Sequence, residues 1–295
     1  MRPSIRQSCN PGILQSAGRS AILQTAARLA LTLLCVCAVA QPRAQERKPL
    51  DAILDTYVRD GFVYYRALKS DRGRLDGYVN SLADMSVAKL SRDAQVAFWI
   101  NAYNALILRT VIDHYPIVAR SKEYPARSVR QIPGAFERLT HRVGGSTLTL
   151  DQIEQNMLSA FQDPRVYLAL GRGAVGGGRL RSEAFAPDTL ETQLEQVQAE
   201  CASRVDCVQL DRENNKLLAS PIFSWREKDF SGVYADKAPA GFSSRAPVER
   251  AVIAFVEPKL LTSEKEYLDQ NANTFQFAYS AFDWTLNDLT GRGGR

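Results

Sequence analysis

The sequence predicts an α+β fold: a central buried helix, with further helices packed on a modest antiparallel sheet. Three observations predict it. The run Val96-Ala-Phe-Trp-Ile-Asn-Ala-Tyr-Asn-Ala-Leu-Ile-Leu108 is apolar almost all round, and a helix apolar on every face is buried centrally. Two pairs of short apolar runs flank turn residues, 141–148 around Gly144-Gly145 and 208–218 around Asn214-Asn215, and each pair reads as a hairpin. Helical and hairpin stretches are mixed without a regular β-α-β alternation, which gives the α+β class.

In chain order, residues 50–57 are predicted to form a short helix, 61–65 an extended segment and 75–82 a helix. Ser91 is a good N-cap, because its hydroxyl can accept from a free amide of the first turn. Asp93 sits where the helix dipole favours negative charge, and this helix should end before Pro116. Asn101 and Asn104 lie three apart on one of its faces. Buried amides need partners, so both are expected to tie down a neighbouring loop; the alternative is that they line a site. Thr149-Leu-Asp-Gln152 fits a capping box that opens a helix to about residue 161. Residues 166–170 have the length of a strand, and 171–178 are a glycine-rich loop. Asp188-Thr-Leu-Glu191 is a second capping box, opening a helix to about Cys201. Ser220 caps a short turn through Trp225, with Pro221 at its favoured first position. Pro247 opens a helix that Pro258 stops. Phe275, Phe277 and Tyr279 alternate with small or polar residues, so the chain should close with a strand.

The 295 residues suffice for one large domain or two small ones, and 45% apolar with 23% charged residues is ordinary for a globular chain. The first forty residues differ. They hold Arg2, Arg6, Arg19 and Arg28, no acid, and an apolar run over 29–40 that ends in Ala38-Val39-Ala40. That pattern reads as a signal peptide cleaved after Ala40. An amphipathic surface helix and an uncleaved anchor are the alternatives; the run is short for an anchor. The expected organisation is therefore a signal peptide over 1–40, a polar tail over 41–49 and a single globular domain over 50–290, periplasmic or secreted, with no membrane span after cleavage. Cleavage leaves 33 Lys and Arg against 32 Asp and Glu, so the net charge drops from +5 to about +1. The basic balance belongs to the signal, and no nucleic-acid partner is expected. Cys201 and Cys207 alone remain, an even pair in an oxidising compartment, and a disulfide between them is expected.

Gly171-Arg-Gly-Ala-Val-Gly176 matches G-x-G-x-x-G. The dinucleotide fingerprint needs a helix opening at the third glycine within a β-α-β unit. Gly177-Gly178-Arg179 follow instead, so no nucleotide cofactor is expected. Arg165, Arg172, Arg179 and Arg181 surround this loop. Arg172 and Arg179 are candidate ligand-binding residues if its amides form an anion nest; a solvated basic loop is the preferred reading. His114 and His141 are the only histidines. With no His/Cys cluster at metal spacing, no metal is expected.

Ala97-Phe-Trp-Ile-Asn-Ala-Tyr-Asn-Ala-Leu106 resembles the central helix of the family known as domain of unknown function 547. Leu150-Asp-Gln-Ile-Glu154, Asp163-Pro-Arg-Val166, Ile222-Phe-Ser-Trp225 with Asp229-Phe230, and Phe282-Asp-Trp-Thr-Leu-Asn287 resemble later blocks of the family in the same order. The resemblance spans residues 50–290. It implies a histidine after the Asp-x-Ile-Glu string, a second at the following strand, and two cysteines in the next loop. This chain has Gln155, Tyr167, Arg172 and Gly177 there. A His, His, Cys, Cys set could bind metal or run thiol–imidazole chemistry; these four side chains can do neither. Two functions follow. One is an exported, catalytically degenerate binding or interaction module for a ligand or protein partner that the sequence does not name. The other is an enzyme acting on a small or acidic substrate through Glu154, Asn101, Asn104 and Arg172.

Overall fold

The computed structural model describes residues 49–291, all within one compact unit. The expected signal peptide, and the tail up to residue 48, lie outside the described residues. The chain enters as α1 (Pro49–Tyr57) and a short ladder of β1 (Val58–Arg59) with β2 (Phe62–Val63). Asp60 and Gly61 between them both have positive φ, 51° and 84°, as a tight hairpin turn requires. The extended segment expected over 61–65 is cut short, because Tyr65 already opens α2 (Tyr65–Ser70). Next comes α3 (Gly73–Ser81).

The central element is α4 (Arg92–His114). Ser91 Oγ accepts from the Ala94 amide at 3.3 Å, so the cap read from sequence is made. Ile100, Ala102, Ala105, Leu106 and Val111 are fully buried, which places apolar side chains on every face of its middle turns. α2 and α3 both pack against it. β3 (Thr140–Val143) and β4 (Ser146–Thr149) form the first predicted hairpin, with His141 opposite Leu148. At its end Thr149 closes a reciprocal cap with Gln152, at 3.1 and 2.9 Å. The helix it opens, α5, starts at Leu150–Gln152, widens into a π-helical turn over Ile153–Leu158 and tightens over Ser159–Phe161. It packs on α4.

Residues 166–170 are not a strand. They fall in and just after a short helix, α6 (Arg165–Leu168), and all five are buried. Asp163 Oδ1 accepts from the Arg165 amide at 3.2 Å and turns the chain at Pro164. An unbroken apolar run of five does not distinguish a buried strand from a buried helical turn. The second capping box is also displaced. α7 spans Leu190–Ser203, and Glu191 serves an ion pair with Arg165 at 2.7 Å instead of a cap.

β5 (Val208–Asp211) pairs antiparallel with β6 (Lys216–Ala219), as expected. α8 (Pro221–Trp225), α9 (Glu227–Tyr234), α10 (Pro247–Val256) and α11 (Thr262–Gln270) follow. The closing strand β7 (Gln276–Tyr279) then pairs parallel with β6, one parallel pair beside the antiparallel ladders that the sequence predicts. Parallel neighbours need a long crossover, and the four helices supply it. Phe223, Phe230 and Phe255 form an aromatic cluster within the hydrophobic core, with ring centroids 4.5–5.7 Å apart. Finally the segment after β7 is stitched back across the glycine-rich loop. The Val175 and Gly176 amides donate to Thr285 and Asp283 carbonyls at 2.9 Å, and the Leu286 amide to Arg127 at 2.7 Å. That stitching brings Trp284 beside Trp225.

Candidate functional site

Asn101 and Asn104 do not line an open site. Asn101 donates to the Phe185 carbonyl at 2.8 Å and accepts from the Phe185 amide at 2.9 Å. Asn104 donates to the Ala169 carbonyl at 3.0 Å and accepts from the Gly171 amide at 2.9 Å. Each amide uses both ends on loop backbone, which satisfies groups that would otherwise be buried unpaired. The glycine-rich loop is therefore lashed to α4.

Arg172 lies at φ +49° and is 3% exposed. Its guanidinium donates to the Tyr167 and Leu170 carbonyls at 2.9 and 3.3 Å and to Glu154 at 2.8 Å. Burial, the largest effect, works against its charge, but Glu154 together with Tyr103 and Asp151 holds the guanidinium above its ordinary value. The solvated basic loop is thus corrected. Arg172 faces inward as half of a buried ion pair, and Arg179, Arg181 and Arg165 are paired with Asp60, Glu200 and Asp163 respectively. Arg172 and Arg179 line different cavities and do not act together. No helix follows Gly176 before Leu190, so the dinucleotide reading has no support.

The Glu154–Arg172 pair floors a cleft of about 290 Å³. Trp225, 46% exposed, and Trp284 form one wall, their rings stacked 6.0 Å apart. Arg130 lies 4.4 Å over the Trp284 ring and 4.6 Å over Phe136, and it pairs with Glu137. Arg226 sits 4.0 Å over the Tyr167 ring, donates to its hydroxyl and pairs with Asp229 at 2.9 Å. Burial pushes the Tyr167 hydroxyl up to about 12 despite that arginine. Each arginine of the cleft therefore has its own carboxylate.

Asp151 is the site residue that sequence reasoning missed. It lies one turn before Glu154 on α5 and lines the same cleft. Its carboxyl makes no hydrogen bond or ion pair among the described residues. Burial, then the nearby Glu137 and Glu154 carboxylates, raise it above the ordinary carboxylate range. The capping box placed Asp151 in the first turn, where the helix dipole alone explains an acid; nothing local signals the two acidic neighbours.

The four positions that the resemblance singles out have separate fates. Gln155 is exposed at the cleft mouth, Tyr167 is buried under Arg226, and Arg172 is the floor. At Gly177 a Cβ would lie 2.4 Å from the Gly171 carbonyl oxygen, so this backbone leaves no room for any side chain. Residues 87–200 match the model of a family described as "Protein of unknown function, DUF547". The matched segment covers less than half of the chain. It runs from the turn before α4 to the end of α7 and includes Asn101, Asn104, Asp151, Glu154, Arg172 and Arg179. Trp225, Arg226 and Trp284 come from beyond it, so the matched segment supplies only part of the cleft lining. No curated protein and no solved structure matches the chain.

Cys201, at the end of α7, and Cys207, before β5, are joined by a disulfide with Cα atoms 5.1 Å apart. His114 Nδ1 meets the Thr110 carbonyl of its own helix. His141 is half-buried on β3, where burial, and then Arg109, push its imidazole down to about 4. Among the described residues no three His, Cys, Asp or Glu side chains are grouped to hold a metal. No described helix is long and apolar enough to cross a membrane.

Proposed function

We propose that this protein is an exported binding module, its globular part spanning 50–290, that holds a small ligand in the Trp225–Trp284 cleft without transforming it. Above all, the Glu154–Arg172 pair speaks for binding. It fills with a static ion pair the place where the family resemblance implies thiol and imidazole chemistry. Asn101, Asn104 and Arg172, three of the four catalytic candidates, are spent on holding backbone. What remains open is a half-exposed indole, the Gln155 amide and the Asp151 carboxyl. These suit a ligand with one flat face and a hydrogen-bond donor beside it, and a volume of about 290 Å³ suits a small one.

A thermal-shift screen of small polar ligands, followed by tryptophan fluorescence titration, tests this, since any binder of the native state raises the melting point. A hit should lose its effect in Trp225→Ala while that variant still melts cooperatively. A hit indifferent to Trp225→Ala would place the binding elsewhere and end the proposal for this cleft.

One observation favours the enzymatic alternative on a small or acidic substrate. An unpaired carboxyl with a raised pKa in a cleft is the usual form of a general acid or base. Turnover of an ester, amide or glycoside that disappears in Asp151→Asn, with binding retained, would decide for that reading. Elemental analysis is a further discriminator. Less than about half an equivalent of zinc, copper or iron fits binding, whereas a full equivalent surviving dialysis fits a catalytic site. Export itself is tested by intact mass: the periplasmic or secreted chain should begin at Gln41, and a membrane-bound chain retaining residues 29–40 would refute cleavage.

A further inference from the structure

A larger cavity, of about 560 Å³, lies where α2, the segment after α4 and residues 286–290 meet. It shares no lining residue with the Trp225–Trp284 cleft. We propose that it is a binding site for a small organic dianion: a phosphate monoester or a dicarboxylate carried on an apolar body.

Its charge is unbalanced in a way the cleft's is not. Arg66 and Lys69 stand three residues apart on α2 and so on one face of it. Arg127, distant from them in sequence, lines the same cavity. Neither Arg66 nor Arg127 has an ion-pair partner among the described residues, and Lys69 donates only to the Tyr115 carbonyl. Asp288 is the one carboxylate that lines the cavity. Both its oxygens are engaged by neutral donors: the Tyr115 hydroxyl at 2.8 Å, and the Thr290 amide and hydroxyl at 3.0 and 2.6 Å. Three cations against one occupied carboxylate leave two positive charges unanswered. Guanidinium groups without a local acid offer forked donors that fit carboxylate and phosphate oxygens.

The rest of the wall fixes size and character. Pro116, Ile117 and Leu286 line it with apolar surface, and the Tyr115 ring is stacked on Tyr65 at 6.1 Å. The volume falls within the roughly 300–1,000 Å³ of small-molecule sites, larger than a bare inorganic anion needs. The cationic side is also pre-positioned, because the Leu286 amide holds the Arg127 carbonyl at 2.7 Å.

Isothermal titration of the protein with phenyl phosphate and with isophthalate, at low ionic strength to limit screening, tests the proposal. Saturable binding of at least one dianion, at one per chain, is expected, and which of the two binds tells phosphate from dicarboxylate. Benzoate and inorganic phosphate should bind at least about tenfold more weakly, since each lacks one half of the recognition. Arg66→Ala and Arg127→Ala should each weaken the dianion by about tenfold or more, as expected for a charged hydrogen bond. Both side chains are exposed, so circular dichroism melts should match wild type. Arg74→Ala, an exposed arginine outside the cavity, should leave affinity within about twofold. The proposal is overturned if neither dianion saturates at millimolar concentration, if benzoate binds as well as phenyl phosphate, or if Arg74→Ala costs as much as the other two.

Discussion

Glu154→Gln isolates the charge of the cleft floor. The substituted amide keeps an oxygen to accept from Arg172, and the Tyr167 and Leu170 carbonyls still accept from the guanidinium. Only the compensating negative charge is lost, around a guanidinium that is 3% exposed. Removing one member of a buried pair costs about 3–5 kcal/mol, because the other charge stays buried and unanswered. Glu154 is 13% exposed and borders the cleft, so water can reach it, and about 3 kcal/mol is the expected loss. In a domain of this size that lowers the melting temperature by about 6–12 °C. Urea unfolding should show a lower midpoint with an unchanged slope. Arg172→Met should cost about 2–4 kcal/mol, since it strips two carbonyls and a carboxylate of their donor. The double variant should cost at least about 1 kcal/mol less than the sum of the two, because neither charge is then left alone. If Glu154→Gln stays within about 0.5 kcal/mol of wild type, or the two changes add, the pair does not hold the loop and the account of the cleft floor is wrong.

Three further outcomes are expected. Thiol labelling of unfolded, unreduced chain beginning at Gln41 should find no free thiol, and replacing Cys201 and Cys207 together by Ala should cost about 2–3 kcal/mol at most, since the loop is short. His141 is depressed to about 4 in the folded state against about 6.5 unfolded. The unfolded chain therefore takes up its proton first, and stability present above about pH 6.5 is lost as pH falls toward 4, by up to about 3 kcal/mol. His141→Leu should flatten that part of the urea-midpoint profile between pH 7.5 and 4.5, and an unchanged profile would clear the imidazole. Asn101→Ala should destabilise by about 2–4 kcal/mol, because it orphans both the amide and the carbonyl of Phe185; a loss below about 0.5 kcal/mol would mean that water replaces the side chain.

The sequence by itself determined what is local. The Ser91 and Thr149 caps, the all-apolar face of α4, both hairpins, the Ser220-Pro221 turn and the nearness of Cys201 to Cys207 are each set within a few residues, by hydrogen bonds or periodicity that the residue types already specify. The expectation that Asn101 and Asn104 tie down loops is local in the same sense, for a buried amide must be answered by something nearby in space. Tertiary structure alone decided the rest. Residues 166–170 have the apolar run and length of a strand, and only Asp163 and the packing around them made a helical turn there instead. The direction of β7 depended on which way four intervening helices returned the chain. Arg172 looked like a loop cation, and became a buried pair because α5 brings Glu154 to it across 18 positions of sequence. The cleft joins Asp151 of α5 to Trp225 and Trp284, and the cationic cavity joins Arg66 to Arg127 and Asp288. Contacts of that kind arise from how distant segments stack, and no window of residues encodes them separately from the whole core.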